Sequence, residues 1–399
     1  MKRLLLGRRV PWYSITKRHA ADLAAKQLRV FAKLADKIDA DLGQNMGDIL
    51  ASNVNGKRIL VVSRPEVLNA LSFRMISKMY SLVKNVDGVD MVIVKGDGNK
   101  AFCAGGDVRF ITEAARRGGG LVQEYYRRAY NLMYSVGTCR VPLVAVIDGI
   151  VMGGGAGISV HGTFRVATER TLFAMPENAI GYFPDVGSSY FMPRLTGKLG
   201  LFLALTGFRL KGRDCVDAGI ATHFIHSHLL KDAESELLSI KSGKVNKNTV
   251  DQVLSKFQKE SVAGKKHQYT LQPHLEKVNQ CFGARSIEEV WKRLEQDGSP
   301  WALEQLRIMR KMSPTSMKAT MRQLEYGARM PFKDCFKMEY RMVQRFLGIQ
   351  DFHEGVRAVV IDKDNSPKWN PATLEGITEK HVNWFFSPLP PDEELVVLD

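Results

Sequence analysis

Apolar and polar residues alternate along the first 240 residues in a way that predicts short strands separated by helices. Arg58 to Ser63 (RILVVS) is the first apolar run of strand length, and we take it as the first core strand. Further runs of this kind cover residues 90–95, 143–147, 164–167 and 172–174. Apolar residues at three- and four-residue spacing predict helices over residues 72–83, 108–116 and 121–136, the first of them capped by Ser72. The repeated strand–strand–helix order is typical of an α/β fold with helices outside the sheets.

The character of the chain changes near residue 240. Beyond it Lys and Gln become more frequent, strand-like runs stop and helical spacing dominates. The sequence therefore predicts a core over residues 53–240 and an α-helical C-terminal region over residues 241–399. Residues 22–52 contain a helical periodicity, which indicates either an N-terminal helical extension or further presequence.

Two glycine-rich loops each follow a strand-like run. The first is AFCAGGD, from Ala101 to Asp107, and the second is MGGGAG, from Met152 to Gly157. Glycine lets the backbone approach a ligand closely and leaves N–H groups free to point at it. An oxyanion hole needs two such donors, so the two loops are a matched pair of candidates. The alternative is that they are plain turns, or sites of tight helix packing, that need glycine.

Two carboxylates lie downstream of the second loop, in the run MPENAIGYFPDVG. Glu177 and Asp185 are candidates for the acid–base work that an oxyanion hole leaves to other groups. For Glu177 the alternative is a solvated carboxylate in a turn, although its apolar neighbours favour a buried group with a raised pKa. For Asp185 the alternative is the N-cap of a helix over residues 186–195, a role that is compatible with catalysis.

With these motifs the chain resembles the crotonase superfamily, and it is most similar to the 3-hydroxyisobutyryl-CoA hydrolases. The resemblance extends over residues 56–375 and includes ALTGFRLKGRD at residues 204–214 and DFHEGVRAVVIDKDNSPKWNP at residues 351–371. It implies a spiral of ββα units, with the catalytic core in residues 53–240. It also implies that the N–H groups of Gly106 and Gly154 are the oxyanion donors. Glu177 would then be the main catalytic carboxylate and Asp185 its partner.

Two departures from family patterns affect the choice of reaction. Enoyl-CoA hydratases, which this chain also resembles, have a glutamate in place of Gly157 and tend to have glycine in place of Asp185. The pattern here resembles the hydrolases instead. Hydrolases also have acidic residues in the segment that matches Arg128 and Ala129, one of which contacts the substrate. That contact is missing here, so the acyl-chain preference stays open.

The resemblance implies hydrolysis of a short 3-hydroxyacyl-CoA thioester, with 3-hydroxyisobutyryl-CoA of valine catabolism as the expected substrate. Coenzyme A would be part of this substrate, and we expect no separate cofactor and no metal. One alternative is an enoyl-CoA hydratase or isomerase. The other is an RNA-associated mitochondrial component, such as a ribosomal subunit protein. The family's helices can mediate trimers, but the sequence leaves the oligomeric state open.

The N-terminus has the composition of a targeting segment. Six basic residues and no acidic residue precede Asp22, and leucines and aromatic residues lie between them. This is typical of a mitochondrial transit peptide, so we predict one over residues 1–21 and location in the mitochondrial matrix. The alternative is a disordered basic tail. The apolar run from Leu4 to Leu6 is much shorter than the core of a secretory signal.

Composition excludes several other classes of protein. No apolar stretch approaches the roughly 20 residues that span a bilayer, so we expect no membrane insertion. Five scattered cysteines indicate reduced thiols rather than a disulfide framework or a zinc site. The net charge is +15, and six of these charges lie in the first 21 residues. The remainder suits a basic rim that attracts the phosphates of coenzyme A, or a surface that binds RNA, and the absence of a dense basic run in the body favours the first.

Overall fold

A computed structural model describes residues 17–398, with the side chains of the first helix described from residue 29. The predicted transit peptide therefore lies outside the described residues, except for the backbone of residues 17–21. The strands are β1 (Asp48–Val54), β2 (Lys57–Ser63), β3 (Met91–Gly96), β4 (Ala101–Cys103), β5 (Leu143–Ile147), β6 (Ile150–Met152), β7 (Phe164–Ala167), β8 (Leu172–Ala174), β9 (Leu210–Lys211) and β10 (His223–Phe224).

The helices of the first 240 residues lie between these strands, except for the first, which precedes β1, and the last, which follows β10. They are α1 (Lys17–Asp41), α2 (Phe73–Lys84), α3 (Val108–Arg117), α4 (Leu121–Gly137), α5 (Gly154–Gly157), α6 (Ser188–Phe191), α7 (Leu199–Thr206), α8 (Asp214–Asp217) and α9 (Leu230–Ser239). The C-terminal helices are α10 (Lys247–Val262), α11 (Leu275–Phe282), α12 (Ile287–Asp297), α13 (Pro300–Met309), α14 (Pro314–Gly327), α15 (Phe332–Phe346), α16 (Gln350–Val356) and α17 (Glu379–Trp384). Helix α2 begins as predicted, because the side chain of Ser72 accepts a hydrogen bond from the N–H of Met75.

Successive strands divide between two sheets. The larger sheet has the order β1-β2-β3-β5-β7-β10, and the smaller has the order β4-β6-β8-β9. Each of the pairs β3–β4, β5–β6 and β7–β8 thus places its first strand in the larger sheet and its second in the smaller. Neighbouring strands are parallel in the order β3-β5-β7 and in the order β4-β6-β8, and parallel neighbours require the long crossovers that the helices supply. The predicted spiral of ββα units is confirmed.

The first strand of the core is not the one predicted. Strand β1 precedes β2 and pairs with it antiparallel from Asp48↔Ser63 to Val54↔Lys57. The turn between them is Asn55–Gly56, and both residues have positive φ, which is the usual conformation of a two-residue hairpin turn. The Asn-Gly dipeptide was the signal that sequence reasoning missed. The predicted domain boundary at residue 53 falls inside this hairpin.

The C-terminal region is helical, as predicted, and it completes the core of the α/β part. Helix α14 contacts α6, and helix α15 contacts α4. Buried Met317 and Phe336 from these helices belong to the same apolar cluster as Val94 and Phe102 from the two sheets. At the other end of the chain, Ile38 of α1 is fully buried in this cluster. Of the helices described between residues 17 and 398, none is both long and apolar enough to cross a membrane.

Candidate active site

The two glycine-rich loops lie side by side because the strands before them are neighbours. Strands β4 and β6 are parallel, with Ala101 opposite Ile150, so the segments that follow them leave the small sheet at the same edge. The segment after β4 continues into Gly106, and the segment after β6 continues into Gly154, the first residue of α5. A Cβ atom placed on Gly154 would lie only 3.1 Å from the backbone nitrogen of Gly106. The two predicted donors are therefore brought together.

Both N–H groups are available to a ligand. On either side of Gly106, the carbonyl of Gly105 accepts from Leu71 and the N–H of Asp107 donates to Leu71. The N–H of Gly154 lies in the first turn of α5, where helical N–H groups have no intrahelical acceptor. Within residues 17–398, neither the Gly106 nor the Gly154 N–H donates to a protein acceptor. This pair has the hydrogen-bonding state that an oxyanion hole needs.

Glu177 is buried beside these loops. It follows β8 as the first residue of a short 3₁₀ turn, Glu177–Ile180, and its side chain is only 6% exposed. In the described part of the protein its Oε2 atom has no hydrogen-bond partner. Burial, together with the charge of Asp185, raises the pKa of the Glu177 carboxyl well above its usual value. The alternative of a solvated turn carboxylate is wrong.

Asp185 lies in the same buried environment and has a partner. The hydroxyl of Tyr130, on α4, donates to Oδ2 of Asp185 at 2.9 Å. Burial raises the pKa of Asp185 to about 7, and the Tyr130 hydrogen bond opposes that rise. The capping alternative is wrong, because the following helix begins at Ser188 and its N-cap is Gly187.

These groups line one cavity of about 120 Å³. Its polar part comprises the backbone of Gly105–Gly106 and Gly153–Gly154 and the carboxylates of Glu177 and Asp185. The rest of its wall is formed by aromatic and aliphatic side chains: Leu71, Ile76, Val108, Ile111, Tyr125, Tyr126, Ala129, Tyr130, Met133, Met152, Ile180, Tyr182, Val186 and Phe352. Three tyrosines of α4, Tyr125, Tyr126 and Tyr130, form part of this wall. Arg128 does not line the cavity and instead forms an ion pair with Glu124 at 2.8 Å. Ala129 presents a methyl group to the cavity.

The position of Gly157 leaves no room for a second carboxylate. A Cβ atom placed there would lie 2.7 Å from Sδ of Met133 and 2.7 Å from Cβ of Val186. Real Cβ atoms do not approach neighbours this closely, so a glutamate would have to displace both side chains. The chain therefore lacks that carboxylate, and the packing of Met133 and Val186 around Gly157 leaves no room for one.

Comparison with known proteins agrees with this geometry. A family described as enoyl-CoA hydratase/isomerase matches residues 57–386. The mitochondrial 3-hydroxyisobutyryl-CoA hydrolase of Gallus gallus is 50% identical over 345 residues, which are 86% of this chain and 89% of that protein. The mitochondrial 3-hydroxyisobutyryl-CoA hydrolase of Homo sapiens is 51% identical over 334 residues, 83% of this chain and 86% of that protein. The chain belongs to the 3-hydroxyisobutyryl-CoA hydrolase family of the crotonase superfamily.

Solved structures of the crotonase superfamily have the same fold. A carnitinyl-CoA dehydratase from Mycobacterium thermoresistibile superposes with a TM-score of 0.80 at 31% identity, over 88% of this chain and 98% of that one. An enoyl-CoA hydratase from Rhodobacter sphaeroides superposes with a TM-score of 0.77 at 29% identity, over 88% of this chain and 99% of that one. The membership predicted from the motifs is confirmed.

One further group of side chains could hold a metal ion. Among the described residues, Asp214, Asp217 and His267 bring potential ligand atoms within 4.8 Å of one another. Nε2 of His267 already lies 2.6 Å from Oδ2 of Asp217, and none of the three residues lines the crotonase-type cavity. This group therefore takes no part in the cavity chemistry.

Ionisation of the buried Glu177 carboxyl should destabilise the folded protein as the pH rises. A carboxyl whose pKa is raised by folding contributes most stability below its unfolded pKa and loses that contribution as pH rises through the folded pKa. Glu177→Gln removes the ionisation, so its melting temperature relative to the unmodified protein should increase as the pH rises above the usual carboxyl range. Thermal unfolding at a series of pH values measures this difference. A difference that is constant with pH would mean that Glu177 ionises normally.

Proposed function

We propose that this protein hydrolyses 3-hydroxyisobutyryl-CoA to 3-hydroxyisobutyrate and free coenzyme A. The observation that carries the proposal is the pair of free N–H groups at Gly106 and Gly154, which open into the same buried cavity as Glu177. The names of the half-identical relatives support the substrate, and the filled space at Gly157 argues against hydratase chemistry.

In this mechanism the thioester carbonyl oxygen binds between the N–H groups of Gly106 and Gly154. Attack at the carbonyl carbon places negative charge on that oxygen, which the two donors stabilise. Glu177 either attacks directly, giving an acyl anhydride that water then opens, or removes a proton from the attacking water. Either route consumes one water, breaks the C–S bond and releases the thiol and the carboxylic acid. The raised pKa of Glu177 brings the group closer to the operating pH, where general bases are most effective.

Asp185 is proposed to orient the water or the substrate hydroxyl, while Tyr130 fixes its carboxyl. Its negative charge also raises the pKa of Glu177, so the two groups titrate as a coupled pair. Asp185→Asn should therefore lower turnover and also shift the acid limb of the pH–rate profile to lower pH, because Glu177 loses a negative neighbour. The profile of kcat/KM from about pH 5 to about pH 9 measures both effects. An acid limb that does not move would mean that the charge of Asp185 has no effect on the pKa of Glu177.

The test of the substrate is thiol release from a panel of acyl-CoA thioesters. The panel pairs 3-hydroxyisobutyryl-CoA with isobutyryl-CoA, so that one hydroxyl group is the only difference. We expect hydrolysis of the hydroxylated member, and the ratio of the two rates reports the preference that the missing contact at Arg128 and Ala129 left open. Failure to release thiol from any acyl-CoA would contradict the proposal. Rapid hydration of crotonyl-CoA would support the hydratase alternative.

We also propose that the protein acts in the mitochondrial matrix without a separate cofactor, since its relatives are named mitochondrial and the proposed steps use only protein groups and water.

The net charge of +15 favours one second candidate, association with mitochondrial ribosomal RNA. Co-sedimentation with mitochondrial ribosomes at moderate salt tests that candidate separately from thioester hydrolysis. Size-exclusion chromatography of the purified protein addresses the oligomeric state.

A further inference from the structure

The loop that carries Asp185 is held by side chains from distant parts of the chain. Nε2 of Gln323, on α14, donates to the carbonyl oxygen of Pro184 at 2.6 Å. Nε2 of His161 lies 2.8 Å from the carbonyl oxygen of Val186 and donates to it. The backbone on both sides of Asp185 is therefore fixed by groups outside the loop.

Glu339, on α15, makes the third attachment and is fully buried. Its Oε2 atom accepts from the N–H of Gly187 at 2.7 Å, and its Oε1 atom accepts from the N–H and the hydroxyl of Ser189 at 2.9 and 2.6 Å. Gln323 also lies 3.4 Å from Oε1 of Glu339, so the two C-terminal anchors contact each other. The carboxylate satisfies the N–H groups at the start of α6, which would otherwise be buried without partners.

The anchored backbone has a conformation that it would not adopt freely. Val186 has a φ of +60°, a left-handed conformation that is rare for a β-branched residue. Gly187 follows with a φ of +84°, and a Cβ atom there would lie 2.5 Å from Nε2 of His161. Conformations of this kind persist only where the surroundings enforce them, and they cluster at functional sites.

We infer that Glu339 and Gln323 are positioning residues for the reaction, which hold the strained 184–189 loop so that Asp185 faces Glu177 inside the cavity. Neither anchor lines the cavity, so each acts through the loop and not on the substrate. The C-terminal helical region is thus part of the catalytic device rather than only a cover for the core. This inference rests on the proposed thioester hydrolysis.

The test is Glu339→Gln in the full-length protein, assayed with 3-hydroxyisobutyryl-CoA. Glutamine has the same shape, but its amide group faces one of the backbone N–H donors, which is left without an acceptor. We expect kcat to fall by about tenfold or more while KM changes by less than about twofold, because the loop affects the reacting groups and not the binding of coenzyme A. Gln323→Met removes the donor to Pro184 and should give the same split, and it decides the question if Glu339→Gln does not fold.

Asp214→Asn is the matched control. Asp214 is also a buried carboxylate that accepts a backbone N–H, from Thr270, but among the described residues it shares no hydrogen bond or ion pair with the 184–189 loop, and it does not line the cavity. The Asp214→Asn substitution should lower the melting temperature without lowering kcat. The inference is overturned if the folded Glu339 and Gln323 variants keep the kcat of the unmodified protein, or if Asp214→Asn loses kcat equally. No hydrolysis by the unmodified protein would instead overturn the proposed function.

Discussion

Glu177→Gln should reduce thioester hydrolysis by a factor of about 10² to 10⁴, the range that a positioned acid–base group contributes. The change keeps the size of the side chain and removes the ionisable oxygen, so neither direct attack nor activation of water remains. Because Glu177 is buried and its Oε2 atom has no partner among the described residues, the amide can occupy the same space. Thiol release at saturating 3-hydroxyisobutyryl-CoA measures the loss.

Binding provides the internal check for this variant. The affinity for coenzyme A, measured by calorimetry, should stay close to that of the unmodified protein, since the change is confined to the reacting end of the cavity. Glu234→Gln is the control substitution, because Glu234 pairs with Lys95 at 2.7 Å and lies outside the cavity. Near-normal turnover by a folded Glu177→Gln protein would remove Glu177 from the mechanism.

Gly154→Ala is expected to have the second large effect. The added methyl group would lie 3.1 Å from the nitrogen of Gly106 and 3.3 Å from Cδ1 of Leu71, in the space that the thioester oxygen must enter. Loss of one oxyanion donor costs about 10² to 10³ in kcat in other enzymes, and this change obstructs access to both. We therefore expect a loss of at least about that size, measured as thiol release. Gly154→Val, with a larger side chain, should be at least as inactive.

Gly348→Ala is the control for Gly154→Ala. The Cβ atom added at Gly348 would have only ordinary contact, 3.6 Å from the carbonyl oxygen of Arg345. This variant should keep its turnover and its melting temperature. If Gly154→Ala folds and turns over at the normal rate, the MGGGAG run is a packing feature and the oxyanion assignment is wrong.

Local signals allowed the strands and the cavity-facing loops to be predicted. Residues 143–147, 164–167 and 172–174 coincide with β5, β7 and β8, because each is a short apolar run with a clear boundary. Strand β1 was missed, since its residues Ala51 to Val54 are exposed and it lacks the apolar run that marks a buried strand. Its pairing is fixed by the hairpin turn instead.

Attachments between distant residues could not be predicted from sequence. The bond between Glu339 and Gly187 joins residues 152 positions apart, and the sequence around Glu339 has only the periodicity of an amphipathic helix. The Tyr130 hydroxyl likewise meets Asp185 across 55 positions. Asp185 was a plausible helix N-cap by residue type, but the chain turns through Val186 and Gly187 before the helix begins. Single-sequence patterns do not contain such tertiary contacts.

The most direct test of the central claim is a product analysis in water enriched in heavy oxygen. The unmodified protein is incubated separately with 3-hydroxyisobutyryl-CoA and crotonyl-CoA, and the products are analysed by mass spectrometry. Hydrolysis transfers the label to a free carboxylic acid with release of coenzyme A, whereas hydration transfers it to an intact acyl-CoA. The account predicts labelled 3-hydroxyisobutyrate, free coenzyme A and unchanged crotonyl-CoA. Labelled hydroxybutyryl-CoA, with the 3-hydroxyisobutyryl thioester left intact, would contradict it.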